Sequence, residues 1–390
     1  MSITLPAQGL VFWPVGSGDC TTVAVNKDIV LQVDIRHLAA ADDDDDHRTP
    51  VIDHLVELLP KKDGKPYLAV FALTHPDEDH CSGFPDLLKA VTIGELWFTP
   101  RVFREYKKDL SEDAQAFRDE AMRRVKNTIK NGGKVGSGDR CRIIGYDDLL
   151  SEDDFTGFPK EQLSVPGQAI TTLDGISFGS QFRGFVHAPF KDDSDGERND
   201  TSLGLQVTLA NGSAAGRVLL LGDLCYPTIQ RIFKRSQEND LKWNVFLAPH
   251  HCSKSVMYWQ DEGEEEESLK QNILDAIEGA AEMPGYIVAS SEPIPVSNEA
   301  GDNPPHAVAK ARYQEIAPGG FLCTQEHPKK ESSQPIVFVL SEDGFEYVQF
   351  DGRAEQSRRG VEKGRTLGDA IAAARGTGEP PRERVGFGVR

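Results

Sequence analysis

The sequence predicts a mixed α+β domain in which several buried strands end along one rim of a sheet. Three apolar runs carry that expectation. Residues 67–73 run into Thr74-His75-Pro76-Asp77-Glu78-Asp79-His80, residues 217–221 into Gly222-Asp223, and residues 245–248 into Pro249-His250-His251. Apolar stretches of this length bounded by turn residues read as buried strands. A lone buried Asp or His is usually a satisfied core residue. Three strands that each deliver such groups at their C-terminal ends instead describe one rim with a metal site.

Taken in order, residues 10–35 alternate as two strands around the Gly16-Gly18 turn. Residues 53–59 read as a short helix stopped by Pro60 and Gly64. Residues 94–99 form a strand after the first ligand-bearing turn. A longer helix follows, with Ser111 as its cap, Glu112 and Asp113 at the positive end of its dipole, and Gly132-Gly133 as its stop. Its Phe117, Ala121, Val125 and Ile129 recur every fourth residue, as a packing stripe does. Residues 170–178, 184–188 and 287–290 return to strand, and residues 265–280 and 307–316 to helix. Residues 335–340 and 345–350 flank Ser341-Glu342-Asp343-Gly344 as a hairpin. Beyond Gly352 the composition shifts to Gly, Arg and Ala, which predicts a flexible tail over 351–390 with one short helix at 367–374.

The first ligand-bearing turn is the most informative segment. His75, Asp77, Asp79 and His80 crowd into six residues in the order His-x-Asp-x-Asp-His. Imidazole suits zinc, iron or nickel, whereas carboxylate suits harder ions such as manganese or magnesium.

These segments, in this order, resemble the metallo-β-lactamase-fold hydrolases, in particular the soluble domain of bacterial competence (DNA-uptake) channel proteins. Val15-Gly16-Ser17-Gly18-Asp19-Cys20 is similar to that family's "DVGQGDA" turn, and Val30 to Asp34 to its next strand. Thr74 to Gly83 resembles "SHPDxDHxGG", Asn199-Asp200-Thr201-Ser202-Leu203 "NNxSL", Leu221-Gly222-Asp223 "TGD", and His250-His251-Cys252-Ser253-Lys254 "HHGSK". The resemblance covers most of residues 10–330. It implies a four-layer αβ/βα sandwich over residues 1–350, with a helical insertion at about 101–165.

The resemblance also implies two divalent ions, zinc or manganese. His75 and Asp77, with Asn199 or His187, would hold one. Asp79, His80 and His251 would hold the other, and Asp223 would bridge them. Such ions lie about 3.5–4 Å apart and share a hydroxide that attacks a phosphoryl centre. Asp79 would also orient that hydroxide, and His250 would contact a phosphate or protonate the leaving group. His306 resembles a residue of a downstream "GHPh" stretch and would reach the pocket rim. The chain departs from the wider superfamily pattern in several places. Asp77 stands where a second His is usual, Arg36 where a Gly often follows the strand-two Asp, and Cys252 where a Gly follows the paired histidines. The usual third-motif His is absent, so one ion is expected to be weakly held.

The expected function is hydrolysis of a phosphodiester, most specifically DNA, by a metal-bound hydroxide. The alternatives are a hydrolase of small phosphoesters or phosphocholine-type substrates, and a regulated partner subunit of a multi-protein system. A formal net charge of -19 argues against a broad nucleic-acid surface. Asp42 to Asp46 and Glu264 to Glu267 read as solvated acidic segments or docking loops. The basic residues gather at Arg101, Arg104, Lys107 and Lys108, on the helix with Arg118, Arg123, Arg124, Lys126 and Lys130, and in the tail. No run approaches the roughly 20 apolar residues of a membrane span. No secretion signal opens the chain, and six scattered cysteines lack any framework spacing. A cytoplasmic setting with reduced thiols is therefore expected.

Overall fold

The computed structural model describes residues 4–348 except 44–45, 106–108, 195, 197 and 299–302, so the predicted tail and its helix lie outside the described residues. Residues Pro6–Val348 form one compact unit. Two sheets face each other in it. The first runs Gly344–Tyr347, Ile336–Ser341, Gly9–Phe12, Thr21–Asn26, Ile29–Val33, Lys65–Ala72, Thr92–Phe98, Arg140–Ile144, Leu163–Ser164. It is antiparallel up to Ile29–Val33 and parallel beyond. The second runs Gly320–Cys323, Ala281–Ala289, Trp243–Leu247, Ala214–Leu220, Gly204–Asn211, Phe182–Ala188, Ala169–Ile170. Its first four strands are parallel and the rest antiparallel.

Period-two alternation explains why the sheets pack between helices. In the second sheet Val218, Leu220, Val245, Leu247 and Val288 point inward to a core shared with Leu10, Phe12, Leu31 and Ala69 of the first. Their neighbours Leu219, Phe246 and Ile287 point outward, onto Ile229, Ile232, Ile273, Ile277 and Tyr313 of the helices Tyr226–Arg235, Gln271–Gly279 and Ala307–Ile316. On the far side, Phe71 of the first sheet packs against Phe84 and Phe117, with ring centroids 5.2 and 5.9 Å away. Those rings belong to the helices Phe84–Ala90 and Glu112–Lys130. Helices, sheet, sheet, helices: the architecture is the αβ/βα sandwich.

Ser111 caps the long helix as expected, its Oγ accepting from the Ala114 amide at 3.2 Å. Four readings need correction. Residues 170–178 are not one strand: Ala169–Ile170 joins the second sheet, and Thr172–Leu173 pairs with Ile176–Ser177 as a separate hairpin. Residues 10–35 hold three strands and not two, because the short turn between Asn26 and Ile29 folds the second back on itself. The region from 101 to 165 is not only helical, since Arg140–Ile144 extends the first sheet. The helix expected over 265–280 starts only at Gln271. Ser268–Leu269 pairs instead with Tyr258–Trp259, and the helix begins after that ladder. Among the described residues no helix is long and apolar enough to cross a membrane.

Arg124 is a buried cation engaged wholly within the fold. It is 1% exposed and donates to the carbonyls of Ile93, Gly94 and Arg140 at 3.1–3.2 Å and to Glu120 at 2.7 Å. It thereby ties the long helix to the starts of two strands. Arg124→Met removes one donor from each of three backbone carbonyls and from Glu120, which keeps Arg123 as its remaining partner. It is expected to lower unfolding free energy by about 3 kcal/mol or more, measured by denaturant titration. Arg123→Met, on the exposed side of the same helix, is expected to lower it by no more than about 1 kcal/mol.

Candidate metal centre

The functional groups come from the C-terminal ends of parallel strands in both sheets, the edge at which open α/β sheets commonly form their sites. Ile29–Val33 ends on Asp34, Lys65–Ala72 runs into His75, Ala214–Leu220 into Asp223, and Trp243–Leu247 into His250 and His251. After His75 one helical turn, Glu78–Cys81, sets Asp79 and His80 inward. At Gly222 the backbone is left-handed, with φ 51°. A Cβ there would lie 3.0 Å from Ser202 Cβ and 3.2 Å from Thr74 Cβ, so the crossing of these turns requires glycine. His250, His251 and Cys252 are also left-handed, with φ of 50°, 53° and 67°, a conformation that is unfavourable by about 1–2 kcal/mol per residue. The turn is held by the His250 amide donating to Gly222 O at 3.1 Å and the His306 amide donating to Cys252 O at 3.1 Å.

Asp79, His80, Asp223 and His251 bring one ligand atom each within 4.8 Å of one another. His80 Nε2 lies 3.2 Å from Asp223 Oδ1, and His251 Nε2 lies 3.0 Å from Asp79 Oδ2 and 3.6 Å from Asp223 Oδ2. A second position adjoins it across Asp223. His75 Nε2 is 3.8 Å from Asp223 Oδ2 and 3.3 Å from Asp77 Oδ2, and His250 Nε2 is 3.7 Å from Asp223 Oδ2.

Hydrogen bonds behind these rings fix which nitrogen faces the centre. Asp34 accepts from the Thr74 amide at 2.7 Å, from Thr74 Oγ1 at 2.6 Å and from His80 Nδ1 at 2.8 Å. His251 Nδ1 donates to the Ser290 carbonyl at 3.1 Å, and a carbonyl can only accept. With Nδ1 protonated, Nε2 of both rings is left for a ligand bond, the usual arrangement for metal-bound histidine. His75 Nδ1 lies 3.1 Å from Thr74 Oγ1 and 3.2 Å from Ser202 Oγ.

The residues fit a divalent cation. Buried His75 Nε2, His80 Nε2 and Asp223 Oδ1 make no hydrogen bond, a costly state for polar atoms unless an ion takes it up. The electrostatics point the same way. Burial disfavours a charged imidazole, yet Asp223, Asp19 and Asp79 push His251 up to about 10. His80 is raised well above its ordinary value against burial by Asp223, Asp34 and Asp79. Burial favours a neutral Asp223, but His80 and His251 hold it well below the carboxylate range.

Other expected residues lie elsewhere. Asn199 sits in the short turn Asn199–Thr201. Its neighbour Arg198 reaches in instead, donating to Asp77 Oδ1 at 2.6 Å. His187 is buried in the second sheet, its ring nitrogens 2.9 Å from Ser236 Oγ and 3.0 Å from Asp240 O, so it cannot serve the centre. His306 is not at the rim. It is buried and accepts the Lys254 amide at 3.2 Å, bracing the turn behind the paired histidines. Asp34, Thr74, Ser202 and Ser290 were not expected in supporting positions. Ser202 and Asp34 lay inside recognisable segments, whereas nothing in the sequence distinguished Ser290 or Arg198.

No protein-family model matches the chain, and no curated protein matches it. Solved structures do. A diphosphatase from the PhnP family is similar over 86% of this chain and 85% of its own, at 8% identity and a TM-score of 0.34. A class B3 di-zinc metallo-beta-lactamase from an Alaskan soil metagenome is similar over 71% and 90%, at 12% identity and 0.33. An archaeal metallo-beta-lactamase superfamily protein from Sulfolobus tokodaii is similar over 80% and 98%, at 12% identity and 0.30. All three likenesses are distant in sequence and in superposition.

Two outcomes follow from this arrangement. Asp34→Ala removes the acceptor that orients His80 and is expected to weaken zinc binding about 10–100-fold, read by competition with a chromogenic chelator. An unchanged affinity would show that Thr74 alone suffices. His187 is lowered by burial from 6.5 to about 4. Its contribution to stability is therefore full above the unfolded value and is lost as pH falls through about 4. His187→Gln is expected to lessen the loss of unfolding free energy between pH 7 and 4 by up to about 3 kcal/mol, measured by denaturant titration at each pH.

Proposed function

We propose that this chain is a metal-dependent hydrolase of phosphodiesters. The observation that carries this reading is the buried Asp223 carboxylate with His75, His80, His250 and His251 gathered round it and Asp77 and Asp79 beside them. A divalent ion at such a site supplies Lewis acidity toward a phosphoryl oxygen and acidifies a water at neutral pH, and a paired ion clamps the opposite oxygen. The chain's own groups do the rest. Asp34 and the Ser290 carbonyl keep His80 and His251 aligned. Asp79, with a side chain 36% exposed, orients the attacking water. His250, 24% exposed beside Asp223, carries a proton to the leaving oxygen. Burial lowers its proton affinity, which favours release of that proton.

The sequence resemblance favours DNA as the substrate. One structural observation favours a smaller phosphoester. Arg104, Arg118, Arg123 and Arg124, the core of the expected basic patch, are spent within the fold. Arg104 pairs with Asp148 and Glu152, and Arg118 donates to the carbonyls of Phe103 and Glu105. Arg123 pairs with Glu120 and Asp139. Phosphate tracking needs cations free to contact the backbone, and of that helix Lys126 and Lys130 are exposed.

The test is incubation of the purified protein with zinc, manganese or magnesium and either a chromogenic phosphodiester or plasmid, linear and single-stranded DNA. Turnover of the small diester is expected, and Asp223→Asn is expected to abolish it. His250→Ala is expected to slow esters with poor leaving groups about 100-fold and to spare a nitrophenyl ester, whose leaving group needs no proton. Cleavage of long DNA that falls steeply with salt would select the nuclease reading, and activity confined to small esters the other. No diester turnover with any of these ions would overturn both.

A further inference from the structure

The two positions beside Asp223 differ in charge, and Arg198 makes the difference. Around the first, Asp79 and Asp223 face His80 and His251; none of these four side chains forms a salt bridge with a Lys or Arg among the described residues, and Arg36 acts on Asp79 only through space. Around the second, the carboxylate that joins shared Asp223 among the described residues is Asp77. Its Oδ1 accepts from Arg198 Nη1 at 2.6 Å while its Oδ2 faces His75 Nε2 at 3.3 Å. Arg198 is itself held in place. Its Nη2 donates to Asp109 O at 2.8 Å, and its Nε lies 3.3 Å from Glu105 Oε2. Glu105 also pairs with Arg101, which donates to Gly196 O at 2.9 Å on the loop that carries Arg198. The guanidinium is therefore a fixed cation, with its carboxylate partner already compensated.

We propose that Arg198 sets the metal occupancy of the centre, so that the chain holds one divalent ion tightly beside Asp79, His80 and His251 and a second only weakly beside His75 and Asp77. The inference rests on the metal-centre reading above. A divalent ion at the second position meets a carboxylate whose charge is cancelled, with a like charge close behind it, and both effects oppose binding. The loop that would supply a further imidazole in the resembled pattern supplies this cation instead. Relieving Asp77 of its guanidinium returns one full negative charge to the second position and leaves the first almost untouched.

Equilibrium dialysis of the full chain against buffered free zinc and, separately, manganese, followed by elemental analysis, reads stepwise occupancy without recourse to activity. Wild type is expected to fill one position at low free metal and a second at much higher concentration. Arg198→Gln is expected to tighten the second step at least about tenfold and to leave the first within about threefold. Arg198→Lys, which keeps the charge, is expected to stay close to wild type. The double variant Arg198→Gln/Asp77→Asn is expected to lose the gain. Circular dichroism and the unchanged first step certify folding of each variant. Two equal steps in wild type, or a second step indifferent to Arg198→Gln, overturn the proposal while leaving the centre itself standing. Absence of bound metal in wild type, or metal retained in full by His80→Ala/His251→Ala, overturns the reading of the centre and the proposal with it.

Discussion

Everything at the active edge depends on the Asp223 carboxylate, which is almost fully buried with four imidazoles within 3.2–3.8 Å of its oxygens. A buried carboxylate must be compensated or it neutralises. Here the compensation is drawn from both halves of the molecule: His75 and His80 from the first sheet, His250 and His251 from the second. The two sheets share an apolar core whose burial is indifferent to a small slip between them. The carboxylate and its rings add a directional requirement, because a displacement of an ångström would break the set. Register between the sheets is thus fixed at the polar edge and stabilised in the apolar middle.

Where ligands are contiguous, the sequence made the site legible. His75, Asp77, Asp79 and His80 sit within a single turn after a strand, so the local chain alone brings them together. Asp223 and His251 were legible because each ends an apolar run whose strand assignment admits few alternatives. What could not be read was how a side chain's neighbours spend it. Arg124 has the look of a surface cation on an amphipathic helix, yet its partners are carbonyls of Ile93, Gly94 and Arg140 that only the sheet brings within reach. His187 is a potential ligand by type, but its strand aims it at Ser236 and Asp240. Arg198 lies one residue from a recognisable segment, and its contact with Asp77 spans a long stretch of chain.

The fold was legible for a related reason. Alternation in the buried strands and the stops of the long helix are local signals, and they place most elements correctly. The misses fell where a local signal gave way to pairing. The stretch before Gln271 has residues compatible with a helix, but a two-residue ladder with Tyr258–Trp259 takes its place. The strands of residues 10–35 were merged because a turn of two residues leaves little trace in an apolar pattern.

The return of Ile336–Ser341 to the flank of Gly9–Phe12 has a consequence for how the protein is made. The strand is so closely fitted that a Cβ on Gly9 would lie 2.1 Å from the Phe338 carbonyl oxygen. During synthesis, however, one edge of Gly9–Phe12 has no partner until nearly all of the described chain has emerged. At the pace of translation that wait is on the order of tens of seconds, and an unpaired apolar edge is a template for pairing with another chain. The last strands therefore act as a seal. They contribute nothing to the metal centre, yet until they dock the nascent chain carries an open side on which two copies can join.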